Sequence, residues 1–175
     1  MIKLIIALTA VGIGLSGCTT AGPVPTSNLA VGTLRSANGA PAGTVVLLAA
    51  GDTVTINVAV IGLPKGIHGL HLHMVGSCQA PDFKSAGGHL NPHGMQHGTA
   101  NPAGSHLGDL PNLVTNGFGA GTVTATLRDR RSAVEAALFD ADGTAIVVHA
   151  EPDDNKTDPS GNSGARIACG VLQRS

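Results

Sequence analysis

Tryptophan and tyrosine are missing from this 175-residue chain, and phenylalanine occurs three times. Aromatic platforms for stacking bases are therefore unavailable, which argues against single-stranded nucleic-acid binding. Charge is sparse too: ten Lys and Arg face eleven Asp and Glu, for a net charge of −1. The densest basic stretch, Arg128-Asp129-Arg130-Arg131, reads as a solvated turn, not as a nucleic-acid patch. No nucleic-acid partner is expected. The apolar run Leu4 to Leu15 is too short to span a bilayer as a permanent helix. There is no convincing amphipathic helix, no internal repeat and no sign of a second domain.

The short run still has a reading. After Met1-Ile2-Lys3 it forms the apolar core of an export signal, and it ends in Leu15-Ser16-Gly17-Cys18. Small residues before the cysteine resemble a bacterial lipobox, in which residues 1–17 are removed and Cys18 becomes the lipidated N-terminus. The alternative is an ordinary signal peptide cleaved nearby. A lipid on Cys18 would tether the domain to a membrane without threading it through. Thr19-Thr20 lacks the aspartate of an inner-membrane retention signal, which favours the outer membrane. Residues 18–28 carry no periodicity and are expected as a flexible tether.

Cysteine is limited to Cys18, Cys78 and Cys169. With Cys18 lipidated, Cys78 and Cys169 remain, and in an oxidising compartment a disulfide is the natural reading. Two thiols that never meet are the alternative. A bridge would close a loop of roughly 90 residues and stabilise the fold by about 4–5 kcal/mol in the chain-entropy view.

From Leu29 the pattern changes to short β-like runs separated by turn residues. Strands are expected at 29–36, 44–50, 53–61, 67–75, 119–127, 133–139, 144–150 and 165–172. Val54, Ile56, Val58 and Val60 alternate with smaller or polar residues, the mark of a half-buried strand. Asn38-Gly39 is a turn signal. Residues 76–109 read as nearly all loop. The expected fold is all-β, an eight-stranded antiparallel Greek-key sandwich or barrel of immunoglobulin-like type over residues 29–175. Its core would be Val, Ile, Leu and Ala. With so few aromatic anchors, an intermolecular bond or a bound metal would matter more than usual.

What is present in quantity is histidine in one place. Four of the chain's eight histidines, His89, His93, His97 and His106, fall in a Gly- and Pro-rich loop that closes on Asp109. Gly and Pro forbid long regular structure there, and a long loop in a compact domain usually has a job. Imidazoles with one carboxylate suit zinc. His71 and His73 are two apart on an expected strand, so both project from one face. With His149 from another strand and one loop histidine they would make an all-nitrogen set, which suits copper. The competing reading is solvated histidines on an exposed sheet face.

The segment Gly69-Leu-His71-Leu-His73, the loop opening His89-Leu-Asn-Pro and the tail Gly164-Ala-Arg166-Ile-Ala-Cys169-Gly resemble copper–zinc superoxide dismutase. The resemblance covers about residues 29–173, and the steps of 8, 9 and 3 residues through His89, His97, His106 and Asp109 are demanding. It implies copper ligands His71, His73, His89 and His149. It implies zinc ligands His89, His97, His106 and Asp109, with His89 bridging the metals. Asp153 would tie His71 to His97 from outside, Arg166 would attract and position superoxide, and Cys78–Cys169 would be a disulfide. His68 would pack beneath the site, and His93 has no assignable role. The implied protein is an exported envelope or periplasmic enzyme with copper and zinc as cofactors, and a homodimer is one partner state left open. Two features depart from the animal enzymes. The ten residues between Cys78 and His89 make a longer segment, and the polar loop 151–164 has Lys156 as nearly its one cation, which puts steering by that loop in doubt. The rival readings are a non-catalytic copper or zinc carrier and a structural envelope lipoprotein.

Overall fold

A computed structural model describes residues 24–175. The expected signal peptide and Cys18 lie outside the described residues. The chain begins with a meander of β1 (Thr26–Ser36), β2 (Pro41–Ala50) and β3 (Thr53–Val60). Asn38-Gly39 turns the first hairpin, with Asn38 Oδ1 accepting the Ala40 N–H at 3.0 Å and Gly39 at φ +83°. Gly51-Asp52 turns the second, closing on the pair Ala50↔Thr53. Along β3 the alternation is realised: Val54, Ile56, Val58 and Val60 are all 2 % exposed or less. Strand β1 starts earlier than expected. Residues 26–28, placed in the tether by sequence, pair with Leu48–Ala50 of β2, because backbone pairing needs no side-chain periodicity.

The remaining elements are β4 (Gly66–His68), β5 (Leu70–His73), β6 (Leu113–Thr115), β7 (Gly121–Thr126), α1 (Arg131–Leu138), β8 (Ala145–His149), β9 (Arg166–Val171) and β10 (Gln173–Arg174). One antiparallel sheet runs β5-β8-β9-β1-β2-β3-β7, with β10 also on β1, and β4 pairs separately with β6. The order β9-β1-β2-β3 brings a late strand back beside the first, which is the Greek-key arrangement. The sheet curls around an aliphatic core that includes Leu34, Leu47, Ile56, Leu70, Leu72, Leu113, Leu138 and Ile146. A smaller cluster of Phe83, Ala86, Ala145 and Val147 packs on the Cys78–Cys169 disulfide, whose S–S distance is 2.01 Å.

Two expectations are corrected. The run 133–139 is not a strand but the end of helix α1. Its apolar residues also fit a spacing of four, and Val134 and Leu138 are the buried pair. Ala and Glu favour helix, and Arg131 Nε binds Glu135 Oε1 at 2.6 Å one turn on. The strand expected over 67–75 is split at Gly69. There the chain changes partners, β4 to β6 and β5 to β8, and a Cβ at Gly69 would lie 2.6 Å from Ser163 Oγ. Strands β6 and β10 were not expected, being too short to show a period.

Candidate metal centre

Strand β5 ends the long sheet, and its outer edge would present unpaired backbone groups. The histidine-rich loop covers it. Leu90 N–H donates to Leu72 O at 2.8 Å, and Leu72 N–H donates to Gly108 O at 2.9 Å. These contacts set His89 opposite His73 and Asp109 opposite His71. Gly108 is required by the approach, since a Cβ there would sit 2.4 Å from Leu72 O. On the other side β8 pairs with β5, and the register shift between Val148 and His149 falls at the strand end that carries His149.

Six histidines and two carboxylates are thereby buried together. His71, His73, His97 and His149 are 3 % exposed or less, and His89 and His106 are below a tenth. One donor atom from each of His71, His73, His89 and His149 lies within 4.8 Å of every other, with His73 Nε2 and His149 Nε2 3.4 Å apart. A second set centres on Asp109 Oδ1, which has the Nδ1 atoms of His89, His97 and His106 at 3.0, 3.0 and 3.2 Å. The His89 and His106 Nδ1 atoms are 3.4 Å apart. A zinc ion with bonds near 2.0–2.1 Å in a tetrahedron needs ligand-to-ligand edges of about 3.3 Å, so these spacings fit it. His71 also falls within 4.8 Å of His89, His97 and Asp109, so it borders both sets, while His106 lies against the Asp109 set alone.

The outer hydrogen bonds decide which nitrogen of each ring carries the proton. His73 Nδ1–H donates to Gly87 O at 3.0 Å and His149 Nδ1–H to Gly164 O at 3.2 Å. His71 Nε2–H and His97 Nε2–H donate to the two oxygens of Asp153, at 2.7 and 2.9 Å. Every one of these rings therefore turns a lone pair inward. Three buried ring nitrogens among the described residues, His71 Nδ1, His89 Nε2 and His97 Nδ1, have no hydrogen-bond partner. An unpartnered buried nitrogen is costly unless something else accepts its lone pair. The two donor sets thus fit two cations that share the His89 ring.

Burial keeps His71, His73, His89 and His149 neutral. It pushes His73 down to about 2, His149 to about 3 and His89 to about 4, and lowers His71 too, although the Asp153 hydrogen bond opposes the shift there. For the carboxylates burial acts upward but loses. Hydrogen bonds from His89 and the Gly98 N–H hold Asp109 below its ordinary range, and those from His71, His97 and the Asn155 N–H do the same for Asp153.

A cleft of about 590 Å³ opens on His73, His89 and His149 and is lined on one side by Arg166. The guanidinium is fixed by two carbonyls, Phe83 O at 2.6 Å and Gly87 O at 2.7 Å. Phe83 is held at φ +52°, a left-handed conformation unusual for a bulky residue, so the Arg166 contact is made to a strained and overdetermined backbone. His68 stands apart from both sets, its nitrogens on His149 O and Pro64 O. His93 lies outside as well, paired with Asp129 at 2.7 Å. Sequence reasoning missed three supports. Asn112 clamps the Asp153 backbone through two 2.8 Å bonds, Gly161 lies where any Cβ would strike Asp153 and His97, and the Gly87 carbonyl serves both His73 and Arg166. Backbone acceptors and close approaches leave no residue-type signal.

An antiparallel β half-barrel with two adjoining, buried, nitrogen-rich donor sets is built as a metal-binding protein. The sequence profile of the copper/zinc superoxide dismutase (SODC) family matches residues 41–172, and the chain belongs to that family. It is 40 % identical over 148 residues to a "Superoxide dismutase [Cu-Zn]" of Caulobacter vibrioides, covering 82 % of this chain and 85 % of that one. It is 41 % identical over 143 residues to "Superoxide dismutase [Cu-Zn] 2" of Aquifex aeolicus, covering 80 % and 84 %. Among solved structures, a Cu/Zn superoxide dismutase from Brucella abortus superposes with a TM-score of 0.66 at 27 % identity, covering 85 % of this chain and all of that one. A "SOD-like protein" from Bacillus subtilis superposes with a TM-score of 0.77 at 36 % identity, covering 84 % and 100 %. The chain is thus an oxidoreductase acting on superoxide, with copper and zinc as its cofactors.

Proposed function

We propose that His71, His73, His89 and His149 hold copper, that His89, His97, His106 and Asp109 hold zinc, and that the His89 ring is shared. The observation that carries this reading is the inward lone pair on His71, His73, His97 and His149, left over after the other nitrogen of each is hydrogen-bonded, with both nitrogens of the His89 ring turned to the two sets. Copper bound there supplies one-electron redox chemistry, while zinc has no redox chemistry of its own. Two superoxide anions and two protons become dioxygen and hydrogen peroxide. Arg166 draws the anion into the cleft and positions it. His89 Nε2 can hold one of the two protons when that nitrogen is not bound to copper, and water brings the other. Asp153 acts as a positioning residue, setting the tautomers of His71 and His97. The experiment is metal content beside activity: one copper and one zinc per chain, and dismutase activity lost on chelation and restored by copper with zinc. A fully metallated protein inert toward superoxide would favour the carrier reading, against which the Arg166 guanidinium at the cleft speaks.

The site of action is proposed to be the cell envelope, where the enzyme protects against extracytoplasmic superoxide. The Leu15-Ser-Gly-Cys18 sequence supports removal of residues 1–17, a lipid on Cys18 and an outer-membrane anchor, and the Cys78–Cys169 disulfide suits an oxidising compartment. Among the described residues no helix is long and apolar enough to cross a membrane. Labelling with radioactive palmitate, abolished by Cys18→Ser, tests the anchor. A homodimer is supported by one apolar face: cross-strand partners Ile67 and Val114 are 50 % and 62 % exposed, with Phe118 at 92 % on the following turn. A monomer in sedimentation at micromolar concentration would rule that state out.

A further inference from the structure

Methionine is the residue the metal centre leaves unused. Beyond Met1 the chain has two, Met74 and Met95, and both line the cleft over His73, His89 and His149. A methionine placed for packing is ordinarily buried, whereas Met74 is 49 % exposed and Met95 40 %. Each is nonetheless held in place. Met74 follows His73 directly, and its N–H donates to Gly88 O at 2.9 Å. Its side chain lies across the glycine pair, where a Cβ on Gly87 would come within 3.0 Å of Met74 Cγ and 3.7 Å of its sulfur. That same Gly87 carbonyl orients His73 and Arg166. Met95 is locked by Asn91, whose side chain accepts the Met95 N–H at 3.0 Å and donates to the Met95 carbonyl at 2.8 Å. The flexible residue type thus stands on two fixed backbones at the mouth of the cleft.

Thioether sulfur is a soft, neutral donor that prefers monovalent copper to Cu(II) or zinc. We propose that Met74 and Met95 form a capture site for Cu(I) on the cleft rim, which hands the ion inward to His73 and His149. The transfer is ligand exchange: thioether bonds break, imidazole bonds form, and the oxidation state does not change. Two neutral sulfurs bind weakly enough to release the ion to the four-nitrogen set below. The proposal rests on His71, His73, His89 and His149 being the copper ligands.

The test uses the full disulfide-bonded chain, zinc-loaded and copper-free, mixed anaerobically with Cu(I)–bicinchoninate, whose colour fades as copper leaves it. The Met74→Leu/Met95→Leu double variant keeps apolar volume nearly constant. It is expected to take up Cu(I) several-fold more slowly than the parent, to reach the same final copper content, and to load Cu(II) at the parent's rate. Equal Cu(I) rates would overturn the proposal, and so would equal slowing of Cu(I) and Cu(II), which marks a general obstruction. A parent chain that retains copper from neither donor would instead overturn the histidine assignment, and the proposal with it. A second measurement uses the copper- and zinc-loaded enzyme with 13C-methyl methionine and Ag(I), a soft monovalent ion without redox chemistry here. Shifts of both methyl resonances are expected, and unmoved resonances would refute the rim site.

Discussion

Arg166 and Asp153 show how single side chains act through neighbours that are not metals. Arg166 spends two N–H groups on the Phe83 and Gly87 carbonyls, which aims its remaining charge at the cleft. Removing that charge weakens attraction of an anion over distance, an effect that salt also screens. Arg166→Gln is expected to lower the second-order rate by about tenfold or more at low ionic strength. The gap should narrow as salt rises, followed by pulse radiolysis across a salt series. A rate unchanged at low salt would remove Arg166 from anion capture. Asp153 accepts from His71 and His97 with separate oxygens, so Asp153→Asn forces one ring to lose its partner or flip its tautomer. Metal affinity is expected to fall by roughly 10–100-fold, as is usual for such outer partners, read by competition with a chromophoric zinc chelator. Both residues were legible in sequence through the family resemblance. The carbonyls and Asn112 that steady them were not, because a backbone acceptor belongs to every residue type.

At the scale of elements, the strands that alternate cleanly were readable and the short ones were not. Strand β3 declares itself through Val54, Ile56, Val58 and Val60, whereas β6, only Leu113–Thr115, is defined by its pairing with β4. Helix α1 marks the limit of periodicity: seven residues satisfy a period of two nearly as well as one of 3.6, and the packing of Val134 and Leu138 chooses. Leu138 is fully buried in the main core, so Leu138→Ala is expected to cost about 2–5 kcal/mol of stability. Copper and zinc content should be unchanged, since α1 contributes no donor to either set. Urea unfolding alongside elemental analysis checks both, and loss of metal would show that α1 supports the centre. The loop 89–109 is the reverse case. Its residue types announce metal chemistry, but its shape comes from the edge of β5, onto which Leu90 and Gly108 are stitched.

For the whole molecule, burying so many neutral imidazoles ties stability to pH. In the metal-free protein the folded values of His73, His149 and His89 lie near 2, 3 and 4, below the ordinary value of about 6.5 that the unfolded chain regains. Below about pH 6.5 the unfolded state therefore binds more protons than the folded state, and stability falls as pH falls. The depressed Asp109 and Asp153 act in the same direction at lower pH. The urea midpoint of chelator-treated protein should be flat above pH 7 and drop steadily between pH 6 and 4, with each histidine contributing up to about 1.4 kcal/mol per pH unit. A midpoint that stays level down to pH 4.5 would contradict the buried neutral rings. The metal-loaded protein should hold its midpoint to lower pH and then lose it more abruptly, because protons and metal ions compete for the same nitrogens.

Sequence by itself determined the fold class, the donor types and their spacing, because alternation of apolar residues and the choice of histidine, aspartate and cysteine are local properties of the chain. Tertiary structure alone decided the rest. Residues as far apart as His71 and Asp153 meet only when β5, β8 and two loops converge. The proton on each ring follows from partners that no local pattern encodes. The two methionines become a rim only once His73 and the 89–109 loop have folded around one cleft.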